Sequence, residues 1–156
     1  MLQAYRLAGY QPARDYSFLE VNAHLRGLYP QIAADLIQRL NTVGATVTRD
    51  TATDFFLING EFSASLVLSR CRQTAAGAYR WLVQFGPGLA PDITILARMD
   101  AANDKPADYY LLPIMDIEAP RLLLCESNGA HLDTYQFDDL DFLSSLALRR
   151  KIEVAA

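Results

Sequence analysis

The chain has 156 residues, a length that fits one ordinary domain. Apolar residues make up 51% and charged residues 21%, so a sizeable core is available and disorder over the whole chain is disfavoured. The formal net charge of −4 argues against a strongly basic surface that grips nucleic acid unaided.

Two cysteines, Cys71 and Cys125, lie far apart, and no CxxC or Cys/His spacing points to a structural zinc site. We expect two reduced, largely buried thiols in a cytoplasmic protein. The first ten residues lack the pattern of a signal peptide. No stretch approaches the roughly 20 apolar residues that span a bilayer, so no membrane partner is predicted.

Residues 1–14 are predicted to form a flexible arm, and residues 15–156 a single α+β domain. Asp15 is a good N-cap for a helical pattern that follows it. Pro30 either starts a second helix or kinks one long helix, and Gly44 suits the C-cap.

After Gly44 the apolar spacing becomes typical of strands. The nearly unbroken apolar run at Ile93–Ala97 indicates a strand that is buried on both faces. Pro113 limits its strand to an edge or to a bulge after Leu112. The predicted strands are Ala45–Arg49, Phe55–Ile58, Phe62–Leu68, Tyr79–Phe85, Ile93–Ala97, Tyr109–Met115 and Arg121–Cys125.

A closing helix is predicted over Asp138–Leu148, with acidic residues near its start and basic residues after its end. Leu140, Leu143, Leu146 and Ala147 form its predicted apolar face. The chain order of helices, strands and a last helix predicts an α+β fold. We expect N-terminal helices, a curved mixed β-sheet with a central hairpin, and a C-terminal helix.

The pair Asn59-Gly60 between two apolar runs is the strongest hairpin signal in the chain, because both turn residues must take positive φ. Read as a two-residue turn, it places Phe56 opposite Ser63 and Asp54 opposite Ser65. One side of the hairpin then carries Asp54, Phe56, Ile58, Glu61, Ser63 and Ser65. The other side, the better core face, carries Phe55, Leu57, Phe62, Ala64 and Leu66.

The stretch from Thr53 to Val67, TDFFLINGEFSASLV, resembles the core hairpin of the PD-(D/E)xK, restriction-endonuclease-like nucleases. The resemblance implies an Asp at the start of one strand and Glu-x-Lys on the next. In that family the two acids bind magnesium, and the lysine helps to position the attacking water. The helix over Tyr29–Val43 and the strand that contains Trp81 also fit the family's order.

Only Asp54 matches that motif. The expected Glu-x-Lys falls on Ser63-Ala64-Ser65 or on Ser65-Leu66-Val67, depending on the register of the turn. Glu61 lies four ladder steps from Asp54, or roughly 13 Å along the strands. A single magnesium ion needs oxygens at about 2.1 Å, so the two acids cannot share one in this register. In the alternative interpretation, Asp54 caps a turn and Ser63 and Ser65 are polar positions of a half-exposed strand.

A cluster of basic residues brackets one loop and could contact a phosphate backbone; it consists of Arg70, Arg72 and Arg80. Ion pairs with the many aspartates are the competing interpretation. The segments Pro91–Ile95, Arg98–Asp100 and Asp108–Pro113 resemble C-terminal regions attached to bacterial DNA recombinases.

The leading hypothesis is a catalytically silent nuclease-like domain that acts as a DNA-contacting or assembly module of a recombinase-type bacterial protein. It needs no cofactor, and its degenerate site positions are Asp54, Ser63 and Ser65. A second hypothesis is a protein–protein or self-association module, with a homo-oligomer or a recombinase-type domain as partner. A third is an active magnesium-dependent nuclease that uses a different register.

Overall fold

The computed structural model describes residues 17–84, 90–113 and 121–149, which form three layers. One layer is helical, the middle layer is a six-stranded mixed sheet, and the third is a three-stranded sheet. The predicted α+β class is confirmed. No helix within these ranges is long and apolar enough to cross a membrane. The predicted arm over residues 1–14 and the Asp15 N-cap lie outside them.

The long N-terminal helix, α1 (Ser17–Thr42), contains Pro30 within its span. Of the two alternatives at this proline, the structure has one long helix and not two separate helices. The helix ends as expected at Gly44, which has a φ of 84°. The Ala45 N–H closes the end by donating to the carbonyl of Leu40 at 3.1 Å.

The strands of the six-stranded sheet, in their order across the sheet, are β1 (Val47–Arg49), β2 (Phe56–Ile58), β3 (Phe62–Ser69), β6 (Ile93–Met99), β7 (Pro106–Pro113) and β9 (Gln136–Phe137). Only the β3–β6 pair is parallel, and the other neighbours are antiparallel. Strand β9 was not predicted, because two residues are too few for a strand pattern.

The prediction for Pro113 is wrong. It ends β7 opposite Ile93, and β7 has a neighbour on each side, so β7 is not an edge strand. The irregularity in this ladder lies between Arg98 and Met99 on the neighbouring strand. Strand β7 also begins earlier than predicted, at Pro106, since a proline is tolerated as the first residue of a strand.

The three-stranded sheet has the order β4-β5-β8, with β4 (Cys71–Gln73), β5 (Tyr79–Gln84) and β8 (Arg121–Leu124). Strand β4 was not predicted, because its three residues include one apolar residue, Cys71, which is too few for a strand pattern. Trp81 at the centre of β5 pairs with Cys71 on one side and with Leu124 on the other. Residues 85 and 115, the predicted ends of two strands, lie outside the described residues.

The two faces of the large sheet hold separate cores. On one face, α1 and the closing helix α3 (Asp141–Ala147) cover buried residues that include Phe56, Ala64 and Ile95. On the other face, the small sheet covers a second core that includes Trp81, Leu96 and Tyr110. Strand β6 is therefore buried on both faces, as its apolar run predicts.

The closing helix is shorter than predicted, and Leu140 precedes it as its N-cap. Leu140, Leu143 and Ala147 are buried as expected, but Leu146 is 43% exposed, so its assignment to the buried face is wrong. A short helix, α2 (Ala130–Asp133), precedes β9 and was not predicted. Residues 150 and 151, part of the predicted basic end, lie outside the described residues.

Candidate nucleic-acid interface

The hairpin turn lies where the sequence predicts it, but its register differs. Asn59 and Gly60 have φ values of 58° and 67°. Strand pairing then starts at Ile58 opposite Phe62, so Glu61 is an additional loop residue. Asn59 is held in place from outside the hairpin, since its side-chain amide donates to the carbonyl of Ala147 at 3.0 Å.

This one-residue shift exchanges the two faces of β2. Phe56 pairs with Ala64, and both are fully buried beneath the helices. Leu57 pairs with Ser63 on the opposite face, where Leu57 is 41% exposed. The predicted placement of Phe56 and Ile58 beside Ser63 and Ser65 is therefore wrong, as is the assignment of Leu57 to the core.

Asp54 lies in a tight turn just before β2, with a φ of 65°. Its carboxylate contacts Arg49 Nε at 2.8 Å in an ion pair that is open to solvent. The Arg49 guanidinium stacks over Phe56, at 4.8 Å from the ring centroid, and also lies over Tyr29 of α1. The Asp54 carboxylate is thus engaged by a cation on the helix side of the sheet.

The pKa values around this turn follow from its contacts. The Tyr29 pKa is raised, first by burial and further by the Asp54 charge, whereas Arg49 lowers it. The Asp50 pKa is lowered, chiefly because its carboxylate accepts the Ala52 N–H at 2.8 Å.

Ser63 and Ser65 lie on the face opposite Ala64, away from the Asp54–Arg49 pair. Ser63 is bound by Asp92, whose Oδ2 accepts the Ser63 N–H at 2.9 Å. The Ser63 hydroxyl in turn accepts the Asp92 N–H at 3.0 Å. Ser65 is half-buried and pairs with Thr94 in the parallel ladder. The structure therefore does not bring Asp54 together with either serine.

Asp92 is the acid that sequence reasoning missed at this site. It precedes β6, and the parallel pairing of β6 with β3 brings it to Ser63. A polar residue just before a buried strand is the only sequence signal for it. In the parts of the chain that the structure describes, no three His, Cys, Asp or Glu side chains are grouped closely enough to hold a metal ion.

The predicted basic cluster is brought together in part. Arg72 of β4 and Arg80 of β5 are direct cross-strand partners on the outer face of the small sheet. Arg72 is exposed, and Arg80 Nη1 donates to the carbonyl of Tyr79 at 2.7 Å. Arg70 is half-buried and precedes β4. Two like charges directly opposite each other destabilise a sheet unless an anion lies between them.

A buried polar network on the other face of the small sheet was also missed. Arg98 makes a two-point contact with Asp108, at 2.7 Å and 2.5 Å, and donates to the Cys125 carbonyl. Its guanidinium stacks on Trp81 and Tyr110, at 4.6 Å and 5.0 Å from the ring centroids. The predicted strand ends at Ala97, whereas β6 continues through Arg98 to Met99.

Tyr110 extends this network, because its hydroxyl donates to Asp133 Oδ1 at 2.8 Å and accepts an N–H of the Asn128 side chain at 2.9 Å. Burial, with the Asp133 carboxylate second, raises the Tyr110 pKa to about 12. Asp133 has a lowered pKa, chiefly from the Asn128 backbone N–H and then from the Tyr110 hydroxyl. Tyr109 packs against the helical core instead, so the two adjacent tyrosines face opposite sides of β7.

The fold and site define an α+β domain that carries an arginine pair on the outer face of its small sheet and a hairpin without a grouped acid cluster in its described residues. No protein-family model and no curated protein matches the chain. It is similar to a solved structure described as the bacterial homing endonuclease I-Ssp6803I. The two are 14% identical over 75% of this chain and 89% of that chain, with a TM-score of 0.49. A likeness at this level carries no argument about activity.

Proposed function

We propose that this chain is a nuclease-like domain that lacks the catalytic metal site and contacts DNA as a module of a recombinase-type protein. Two sequence resemblances support the proposal. The hairpin from Thr53 to Val67 resembles that of the PD-(D/E)xK nucleases, and segments between Pro91 and Pro113 resemble regions attached to bacterial DNA recombinases.

The arginine pair, Arg72 with Arg80, carries the DNA-contacting part of the proposal. The two residues are directly opposite in the β4–β5 ladder, which sets their Cβ atoms about 5 Å apart. Each guanidinium presents a planar fork of donors that fits a phosphate group. A phosphate backbone laid along the outer face of the small sheet would relieve the repulsion between them. Such contacts position a protein on DNA without reading its sequence.

The contacts of the degenerate positions support the loss of catalysis. A nuclease metal would need the Asp54 carboxylate, which is paired with Arg49. In one of the two registers considered, Ser63 and Ser65 take the positions of the family's acid and lysine, but both serines lie on the face away from Asp54, and Ser63 is bound to Asp92. Neither serine supplies a carboxylate for the metal or an amine for the water.

A DNA titration tests the arginine pair directly. Fluorescence anisotropy of a labelled duplex should show binding that weakens with salt. The double variant Arg72→Ala/Arg80→Ala should lose at least tenfold in affinity at low salt. Its salt slope should fall by about 1.8, as expected for two lost phosphate contacts.

The control variant Arg26→Ala/Arg39→Ala removes the same number of charges from α1, where both arginines are exposed. Its affinity should stay within twofold of the unchanged chain. An equal loss in the two double variants would show that net charge matters and that the arginine pair is not the contact. Unchanged affinity in the Arg72→Ala/Arg80→Ala variant would remove the pair from the interface.

Self-association is a second candidate function, because the same outer face carries two exposed leucines. Leu82 and Leu123 are direct cross-strand partners and are 41% and 50% exposed. If they form a contact between copies, light scattering should show a mass that rises with concentration, and Leu82→Gln/Leu123→Gln should abolish the rise. A monomer at every concentration would rule this candidate out.

A further inference from the structure

A cavity of about 310 Å³ lies at the end of the second core, on the face of the small sheet opposite the arginine pair. Its wall combines aromatic, acidic and thiol side chains with one arginine. The charged, aromatic and thiol residues that line it are Cys71, Tyr79, Trp81, Arg98, Asp100, Asp108 and Glu126.

The charges of this cavity do not cancel. Asp108 is bound at two points by Arg98, so that pair is neutral. Asp100 and Glu126 form no salt bridge within residues 17–84, 90–113 and 121–149, and they leave two uncompensated negative charges. Asp100 Oδ1 accepts the Asp104 N–H at 2.9 Å, and Glu126 Oε1 accepts the Tyr79 N–H at 3.3 Å. Within the described part of the chain, no donor contacts Asp100 Oδ2 or Glu126 Oε2.

A buried thiol supplies a second, independent feature. Cys71 is 6% exposed and lines the cavity, and its sulfur has no hydrogen-bond partner among the described residues. Burial raises the Cys71 pKa first, and the charges of Asp100 and Glu126 raise it further. The negative charges of both carboxylates therefore reach the Cys71 sulfur inside the cavity. The thiol stays neutral and contributes a polarisable atom to the cavity wall.

The aromatic part of the wall already accommodates one cation. The Arg98 guanidinium lies over the Trp81 ring at 4.6 Å, as expected when a ring face attracts positive charge. Tyr79 lies beside Trp81, with ring centroids 6.4 Å apart and planes tilted by 43°. The half-buried Tyr79 ring thus adds a second aromatic surface next to the two acids.

We infer that this cavity binds an organic ammonium group, held between the carboxylates of Asp100 and Glu126 and the aromatic side chains of Tyr79 and Trp81. Aromatic rings beside carboxylates select cations of this kind, because the rings take the methyl or methylene groups and the acids take the charge. Such a group can come from a free small amine or from the lysine side chain of a partner protein.

Trp81 makes the test direct, because it is the only tryptophan of the chain and its fluorescence reports on this cavity alone. The probes are choline, its uncharged isostere 3,3-dimethyl-1-butanol, and lysine blocked at both its amino and carboxyl ends. We expect a saturable change in Trp81 emission with a cation and none with the neutral alcohol. Tighter binding of choline would indicate a free quaternary amine, and tighter binding of blocked lysine a protein side chain.

The variants Asp100→Asn and Glu126→Gln remove one charge each but keep an oxygen that can accept the backbone N–H groups. Each should raise the Kd of the preferred cation at least fivefold, whereas the exposed control Glu20→Gln should leave it unchanged. Equal responses to choline and the neutral alcohol would overturn the inference. So would wild-type affinity in both cavity variants, or no response to either cation.

Discussion

Two of the Arg–Asp contacts among the described residues, one near the hairpin and one in the second core, differ in burial and in consequence. Near the hairpin, Arg49 and Asp54 have side chains that are 37% and 69% exposed. In the second core, Arg98 and Asp108 are 5% and 13% exposed. Exposed pairs are worth about 0–1 kcal/mol, whereas breaking a buried pair leaves a charge without solvent or partner. We therefore expect that breaking the hairpin pair costs little stability, whereas breaking the buried pair costs several times more.

The surroundings of the two pairs reinforce this difference. Asp108 also accepts an N–H of Gln136 at 2.7 Å, which ties β9 to the buried pair. Arg98 reaches the Cys125 carbonyl after β8, so one guanidinium connects the two sheets. Asp54, by contrast, contacts Arg49 and its own turn. The contacts of the Asp54 carboxylate are therefore close in sequence, whereas those of Arg98 and Asp108 join several strands.

The largest expected effect comes from breaking the buried pair. Arg98→Met keeps an apolar stem between Trp81 and Tyr110 but leaves Asp108 buried without its partner. We expect the free energy of unfolding to fall by about 3–5 kcal/mol. Urea denaturation followed by circular dichroism measures it. The control Arg39→Met, which breaks the exposed pair with Asp141, should cost less than about 1 kcal/mol. Similar losses in both variants would contradict the comparison.

The second prediction concerns Tyr110 and alkaline pH. Tyr110→Phe removes a hydroxyl that bonds Asp133 and Asn128 and should cost about 1–3 kcal/mol at neutral pH. Because the folded pKa is about 12 and the ordinary value is 10.0, the folded state keeps the proton that the unfolded state loses. Stability from this group is complete below pH 10 and is lost as pH rises towards 12.

Denaturation series between pH 9 and pH 12 test this linkage. The unchanged chain should lose stability more steeply than Tyr110→Phe over that range. The control Tyr79→Phe removes a hydroxyl from β5 of the small sheet and leaves Tyr110 in place, so it should retain the steep fall. Parallel curves for the unchanged chain and Tyr110→Phe would show that Tyr110 is not responsible.

The smallest effect is expected at Asp54. Asp54→Asn removes the charge but keeps a residue that tolerates the φ of 65°, so it should cost less than about 1 kcal/mol. Asp54→Ala should cost about 1–2 kcal/mol more, because alanine is strained at that φ. Chemical denaturation separates the two variants. Equal costs would mean that the backbone of this turn is not strained.

Local chemistry was enough to predict most elements of the fold. The Asn59-Gly60 turn, the end of α1 at Gly44 and the doubly buried β6 all follow from short-range signals. The hairpin register did not, because the Asn59 side chain is held by Ala147, which is 88 residues away in sequence. Glu61 is an additional residue of this turn, and one extra loop residue exchanges the two faces of β2.

The candidate site could be predicted only where its interacting residues are close in sequence. Arg72 and Arg80 face each other because a short turn joins their strands, and their charge pattern is visible in the sequence. Asp92 reaches Ser63 through a parallel pairing that no local pattern indicates. The same holds for Arg98, whose partners come from β5, from β7 and from the backbone after β8.

The most direct test of the account measures binding and cleavage in one experiment. A duplex labelled at one end is mixed with the chain in EDTA or in magnesium, its anisotropy is recorded, and its strands are then sized on a denaturing gel. We predict intact strands in both buffers and no gain in affinity from magnesium, which competes for the same phosphates. Magnesium-dependent cleavage that Asp54→Asn abolishes would contradict the account, because it would show that the hairpin holds a working metal site.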